Sequence, residues 1–448
     1  MSHSSASSAL PQQHHVSPEQ MRKIAVASVI GTTVEWYDLF LFATASALVF
    51  NKAFFPNFDP LVGTMLAFGT FAAAYVARIV GAILFGHFGD RLGRKSMLLI
   101  SLIGMGAATF CIGLLPGYDA WGAAAPFLLL TLRIIQGLAL GGEWGGAVLM
   151  TVEHAPADRR GFFGSLVQLG VPVGTLIANL VFLAMAANLS EDALVAWGWR
   201  VPFLASIILI AIGFYIRLRL EETPAFQRVR EEGAEAKIPF ATLMQRYWKQ
   251  VVLGGFATLS TGSSFNILVG SGLNYGKQQG LTNTQMLIAV MVACFVGALL
   301  LPLFGAWSDR IGRRPIILAG IVAEMVAGFA LIWLMDHGSM ALTILGYVIM
   351  IVAFAANYGP IATFLAEQFG AKVRYSGLSV AYMLSGLLGS ATTAPVTTWL
   401  LGVTHSGYAF SWFMLGTAAL SLIALLMLSE TSRSDINAVH EAPAEGTD

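Results

Sequence analysis

Charge is what this chain has least of. Only 11% of its 448 residues are Asp, Glu, Lys or Arg, against roughly 25% in soluble domains. So few polar groups cannot cover a globular surface, and with 56% hydrophobic residues the solvent of this chain is expected to be mostly lipid. Neither sign is in excess: 25 acids face 25 bases, which removes the basic footprint of a nucleic-acid partner. Cysteine is scarce as well. Cys111 and Cys294 lie inside apolar runs without CxxC or ligand spacing, so both read as packing thiols, and no metal is expected. A phosphate loop is missing: the stretch from Gly89 to Ser96 looks superficially like one but fails the G-x-x-x-x-G-K-[ST] spacing. With no separate polar domain to house a nucleotide, neither an enzyme, nor ATP-driven transport, nor an ATPase subunit as partner is expected.

What the chain has is long apolar runs. A helix needs about 20 apolar residues to cross the hydrocarbon core. Such runs fall near residues 24–50, 62–86, 96–116, 126–150, 161–187 and 199–220, then near 251–276, 285–307, 315–335, 341–366, 374–402 and 407–428. The expected fold is an all-α membrane protein with twelve transmembrane helices in two six-helix bundles. Its parts would be a disordered polar tail (1–22, with His3, His14 and His15), a first bundle (23–220), a central loop (221–250), a second bundle (251–430) and a second tail (431–448). The first apolar run is too long for a signal h-region and reads as an uncleaved span.

Basic residues orient these spans. Arg91, Arg94, Lys95, Arg159 and Arg160 occupy alternate loops of the first half, and Arg310, Arg313, Arg314, Lys372 and Arg374 those of the second. The central segment adds Arg217, Arg219, Arg228, Arg230, Lys237, Arg246 and Lys249. The positive-inside rule places both termini and the central loop in the cytoplasm.

The halves repeat one another. Gly86-His-Phe-Gly-Asp90-Arg91-Leu-Gly93-Arg94-Lys95 recurs 219 positions later as Gly305-Ala-Trp-Ser-Asp309-Arg310-Ile-Gly312-Arg313-Arg314. Glu153 precedes Arg160 by seven positions, as Glu367 precedes Arg374. Two matched pairs in equivalent loops indicate an internal duplication. The loop G-x-x-x-D-R-x-G-R-[RK] resembles the signature of the major facilitator superfamily. Glu35-Trp-Tyr-Asp38, Arg78, Arg133-Ile-Ile-Gln136-Gly137 running into Gly141-Gly-Glu143-Trp-Gly-Gly, and Trp197-Gly-Trp-Arg200-Val-Pro-Phe resemble the metabolite:proton symporter family within it. Phe50-Asn-Lys-Ala-Phe-Phe-Pro56 is most similar to shikimate-type and related organic-acid carriers, while Ile79 departs from the proline that many members carry. The resemblance implies a gating network on the cytoplasmic side, made of Asp90, Arg91, Arg94, Glu153 and Arg160, with Asp309, Arg310, Arg313, Glu367 and Arg374 as its repeat.

Ionisable residues inside spans cost at least ~2.5–3.5 kcal/mol each on insertion scales, so each is a functional candidate. Glu35 and Asp38 lie on adjacent parts of span one, Arg78 in span two, Arg133 and Glu143 in span four. Gly137, Gly141 and Gly145 form a small-residue stripe that lets a neighbouring helix come close. The second half offers neutral groups instead: Asn266 in span seven, and Asn357 with Tyr358 in span ten. Glu324, mid-span in a helix expected to be peripheral, has no evident place.

The expected mechanism is competition for arginine. Arg78 and Arg133, with Gln136, Tyr37, Asn266, Asn357 and Tyr358, would bind a small organic anion through bidentate and neutral hydrogen bonds. In the empty carrier the arginines would pair with Asp38, Glu35 or Glu143; displacement by substrate frees a carboxylate to take a proton. Asp38 is the favoured proton site, Glu35 the second. The reading is therefore a monomeric secondary transporter of the bacterial inner membrane, importing shikimate or a related mono- or dicarboxylate with protons and needing no cofactor. An osmolyte or zwitterion symporter and a proton-antiport exporter of the same architecture stay open; a short central loop weighs against osmosensing.

Overall fold

The computed structural model describes residues 17–57, 60–231, 239–432 and 436. Most of both polar tails, including His3, His14 and His15, and part of the central loop lie outside the described residues.

Twelve membrane-length helical segments run through the described chain. They are α1 (Pro18–Ala45), α2 (Pro60–Leu92), α3 (Arg94–Leu114), α4 (Ala124–Val152), α5 (Arg160–Val167 and Gly170–Asn188) and α6 (Arg200–Leu218) in the first half. The second half holds α7 (Trp248–Gln278), α8 (Asn283–Ile311), α9 (Arg313–Met335), α10 (Met340–Glu367), α11 (Arg374–Ser385 and Ala391–Thr404) and α12 (Tyr408–Leu426). Ten are long and apolar enough by themselves to cross a membrane; α2 and the Gly-, Ser- and Thr-rich α11 complete the twelve.

Local sequence explains several boundaries. Ser17 accepts the Gln20 N–H and Pro18 follows at the first helical position, a sound start for α1. Thr282 and Gln285 form a capping box at the start of α8. The tight turns joining α2 to α3 and α8 to α9 centre on Gly93 (φ 103°) and Gly312 (φ 112°), a region L-side chains avoid. α7 is not one smooth helix: it breaks at Thr258 and passes through a π-turn at Ile267–Ser271. α11 has a π-turn at Gly386–Ser390. Such breaks need other groups to satisfy the freed backbone, and Ser421 of α12 does so by accepting the Ser260 N–H at 2.9 Å.

Large apolar residues such as Phe127, Phe295, Val326, Trp399 and Trp412 cover the outside, as lipid requires. Within the first half the stripe of span four does what its spacing implies: a Cβ at Gly137 or Gly141 would strike the backbone of α2 at Ala74 or Arg78. Gly145 faces Ser379 of α11 instead, across the two halves. The halves meet through α2 against α11 and α5 against α8 and α10. Cys294 is buried, but Cys111 is exposed on α3, which corrects the packing expected of it.

Gly93→Ala and Gly312→Ala are each expected to destabilise the fold by at least about 1–3 kcal/mol through backbone strain, and their added Cβ atoms would also crowd Glu222 and Glu430. Thermal unfolding in detergent reads this as a lowered midpoint, with Gly416→Ala, whose added Cβ meets nothing within 4 Å, as the unchanged control.

Candidate functional site

Two carboxylates, one from each half, clasp helix starts in the other half. Asp90, at the end of α2, accepts the N–H groups of Tyr375 (3.1 Å) and Ser376 (3.0 Å) and the Ser376 hydroxyl (2.8 Å) in the first turn of α11. Asp309, at the end of α8, accepts the N–H groups of Gly161 (2.7 Å) and Phe162 (2.9 Å) in the first turn of α5. Both place a negative charge against orphan donors and the positive end of a helix. The repeat seen in the sequence is thus a reciprocal clasp.

Arginines and acids brace each clasp. Arg94 lies 3.6 Å from Asp90 and 3.7 Å from Glu153, and Arg374 donates to Glu153 at 2.9 Å. In the repeat, Arg313 reaches Asp309 (2.6 Å) and Glu367 (3.3 Å). Arg160 is buried, its carbonyl accepts the Thr363 hydroxyl, and its charge acts on Glu367. Arg91 and Arg310 are corrected: both are exposed, and neither joins this network among the described residues. Burial opposes ionisation of Glu153, yet the Arg94 and Arg374 guanidiniums, helped by Thr223, hold its carboxyl below the usual range.

Two further acids that the sequence did not single out complete the clasp. Glu222, just beyond α6, accepts the N–H groups of Arg94 and Lys95 at the start of α3. Glu430, just beyond α12, does the same for Arg313 and Arg314 at the start of α9. Their equivalent places after the sixth and twelfth spans were the available signal. The Arg374 guanidinium also donates to the Ile436 carbonyl at 2.6 Å, so the chain beyond α12 touches the network.

Deeper in the first half the buried charges separate into three groups. Glu143 is tied to Arg217, and also accepts the Ser101 hydroxyl at 2.6 Å. This corrects two expectations: Glu143 does not pair with Arg78 or Arg133, and Arg217 is buried at the end of α6 rather than lying in a basic loop. The second group is a chain. Asp38 accepts from Gln136, Gln136 accepts from Arg133, and the Gln136 amide also donates to Thr109 at 2.8 Å. The Arg133 guanidinium sits 3.6 Å from the Phe42 ring centroid. Glu35 lies 3.9 Å from Arg78, a loose contact for two groups so deeply buried.

A cavity lies between the halves. Trp36, Tyr75, Arg78 and Val171 line it from the first half; Thr261, Phe265, Asn266, Phe354, Tyr358 and Tyr382 are among its walls from the second. Of the charged candidates only Arg78 reaches this wall. Its Nε and Nη2 have no hydrogen-bond partner among the described residues, and its guanidinium carbon stands 5.0 Å from the Tyr75 ring centroid. Tyr358 shares a hydroxyl hydrogen bond of 2.8 Å with Tyr382, whose ring stacks on Trp144 across the halves. Four expected cargo contacts are corrected. Arg133 and Gln136 are buried behind the wall, bonded to one another; Tyr37 donates to the Pro202 carbonyl within the apolar cluster around Phe42 and Phe50. Asn357 turns to Ser260 and Glu324. The aromatic lining of Trp36, Tyr75, Phe265, Phe354 and Tyr382 went unmarked because apolar rings in a span look like ordinary lipid or core residues.

Comparison with known proteins agrees with this architecture. The profile of the Major Facilitator Superfamily matches residues 29–393 and 275–445. The inner membrane metabolite transport protein YhjE of Escherichia coli (strain K12) is 37% identical over 432 residues, covering 95% of this chain and 98% of that one. The shikimate transporter of the same organism is 34% identical over 439 residues, covering 95% and 98%. Among solved structures, the proton:xylose symporter XylE bound to 6-bromo-6-deoxy-D-glucose superposes with a TM-score of 0.79 at 18% identity, covering 94% and 98%, which shows a shared fold.

The lowered Glu153 carboxyl gives a signed prediction. Its contribution to the closed arrangement is full above the ordinary glutamate value of about 4.3 and is lost as pH falls through the lowered value. Glu153→Gln removes it at neutral pH and leaves Arg94 and Arg374 short of a counter-charge. Labelling of a cysteine at buried Ser379, with Cys111 and Cys294 replaced by serine, is expected to accelerate about tenfold or more. An unchanged rate would show that Glu153 does not help hold this face shut.

Proposed function

Because this chain belongs to the major facilitator superfamily, we propose that it imports a small organic anion together with protons by alternating access. It is a multi-pass plasma-membrane transporter of metabolites and not an enzyme. The observation that carries the finer reading is Arg78: a buried guanidinium, short of partners, in the wall of a cavity shared by both halves. A carboxylate fits the two open donors as a fork. The surrounding rings suit a flat or cyclic body, and Asn266, Thr261 and Tyr358 suit hydroxyl groups on it. The 34% identity to a shikimate transporter supports a hydroxylated cyclic acid.

Proton coupling follows from who shares Arg78. Glu35 is its only ion-pair neighbour among the described residues, and the Glu35 Oε2 oxygen has no partner. A substrate carboxylate that takes Arg78 leaves Glu35 buried without a cation, and a proton replaces the lost counter-charge. Asp38 is one step further back, tied through Gln136 to Arg133, with its Oδ1 open. This order makes Glu35 the first proton site and Asp38 the second, the reverse of the ranking by sequence. Glu143, neutralised by Arg217 and hydrogen-bonded by the Ser101 hydroxyl, acts as a tie between α4, α3 and α6. The gating role belongs to the clasps: breaking them lets the halves rock apart on that face.

Proteoliposomes under an imposed pH gradient test this reading with a panel of shikimate, other hydroxylated cyclic acids, simple mono- and dicarboxylates, and betaine. Uptake of one acid with matching proton entry is expected. Arg78→Lys should raise the half-saturating concentration about tenfold, equivalent to ~1.4 kcal/mol. Glu35→Gln should retain exchange while losing accumulation. Uptake of betaine alone, or Arg78→Lys with wild-type affinity, would contradict an anion site at Arg78.

A further inference from the structure

The second half, neutral in its cavity wall, hides one carboxyl group. Glu324 lies in the middle of α9 with 0% exposure, and α9 packs along α10, with α12, α8 and the α7 segment Leu259–Asn266 also against it. The side chain thus points into the bundle, while Val322, Val326 and Trp333 of the same helix face outward. No cation faces it among the described residues. α12 and the Leu259–Asn266 segment carry no charge, and α10 carries only Glu367 at its far end. Asp309 and Arg310 lie at the end of α8, Lys249 and Lys277 at the two ends of α7. On α9 itself the nearest cation, Arg314, is ten residues away, about 15 Å along the helix.

Its partners are neutral. The Asn357 amide donates to Glu324 Oε2 at 3.1 Å and to Ser260 Oγ at 2.9 Å, and the hydroxyls of Ser260 and Ser264 lie beside it. Among the described residues two buried oxygens are then left without a donor: Glu324 Oε1 and Asn357 Oδ1. They are the geminal partners of the two atoms already joined. An ionised carboxylate offers only acceptors and cannot supply what is missing, and it would be a buried charge without a counter-ion. A carboxylic acid with its proton on Oε1 removes the charge and supplies the donor, closing an acid–amide pair.

We infer that Glu324 carries a proton in this closed arrangement and is a further protonation site, separate from Glu35 and Asp38. Its surroundings tie it to the cavity. Ser260 follows the break in α7, and the same short segment presents Thr261, Phe265 and Asn266 to the cavity. Asn357 directly precedes Tyr358, which also lines the cavity. Displacing that segment against α9 and α10 takes the Ser260 and Ser264 hydroxyls away from the acid and from Asn357. Its use in transport rests on the proton-coupled reading above; the proton itself does not.

Infrared spectroscopy of the full chain in detergent at neutral pH, without substrate, tests the inference in a Glu35→Gln, Asp38→Asn background. A protonated-carboxyl C=O band is expected, lost in Glu324→Gln and shifted to higher frequency in Asn357→Ala, which keeps the acid but removes its hydrogen bond. Absence of the band, or a band that neither substitution alters, overturns the site. Because the background lacks Glu35 and Asp38, failure here is distinguishable from failure of the Arg78 mechanism, which the uptake assay reads.

Discussion

A carboxylate from one half held against the first turn of a helix in the other is the contact on which the closed arrangement depends. It occurs twice, at Asp90 and Asp309, and each copy ties a turn that cannot move independently of its half. Helix starts are suited to this because their N–H groups have no partners within the helix. The contact is strong while aligned and falls away within the first turn, so a small rotation of the halves releases it nearly completely. Glu153, Glu367, Arg94, Arg313, Arg160 and Arg374 hold the carboxylates and helix starts in register. Glu222 and Glu430 fix the next helices, α3 and α9, at their own first turns. Gate stability is therefore concentrated in backbone donors and four buried acids, not in the exposed arginines around them.

Below the clasps the halves diverge. The first half places its charges in three compartments: Glu143 with Arg217, Asp38 with Arg133 through Gln136, and Arg78 with Glu35 at the cavity. Only the last is loose and reaches the wall. The second half answers with aromatic rings and neutral hydrogen bonds, and keeps its single intramembrane acid behind that wall. A pseudo-symmetric frame with asymmetric contents lets the same rocking motion act on an anion in one half and on hydrogen-bonded neutral groups in the other.

Much of this was legible in the sequence. Long apolar runs gave twelve helices, and the repeated Asp-Arg-x-Gly-Arg loop marked both clasps, because a tight turn between spans needs glycine and leaves a recognisable pattern. The chemistry within spans was less legible. Arg217 looked like a positive-inside residue because it stands next to a basic loop; only the packing of α6 against α3 and α4 turns it onto Glu143. Asn357 and Glu324 are 33 positions apart, and nothing local says that their helices face each other. Tyr37 lies between two acids, yet helical geometry directs it toward Pro202. The breaks in α7 and α11 had no clear signal, since Ser, Thr and Gly are common in membrane helices and bend them only where a neighbour supplies the hydrogen bonds.

The most direct measurement is the distance across the clasped face. Spin labels at exposed Leu92 and at Lys372, next to the two ends of the Asp90 clasp, report it by pulsed dipolar spectroscopy. A short, narrow distribution is expected for the wild-type background, and a shift to longer distances when Asp90→Asn and Asp309→Asn are combined. An unchanged distribution in the double variant would contradict the account, because the face would then be closed by something other than its two carboxylates.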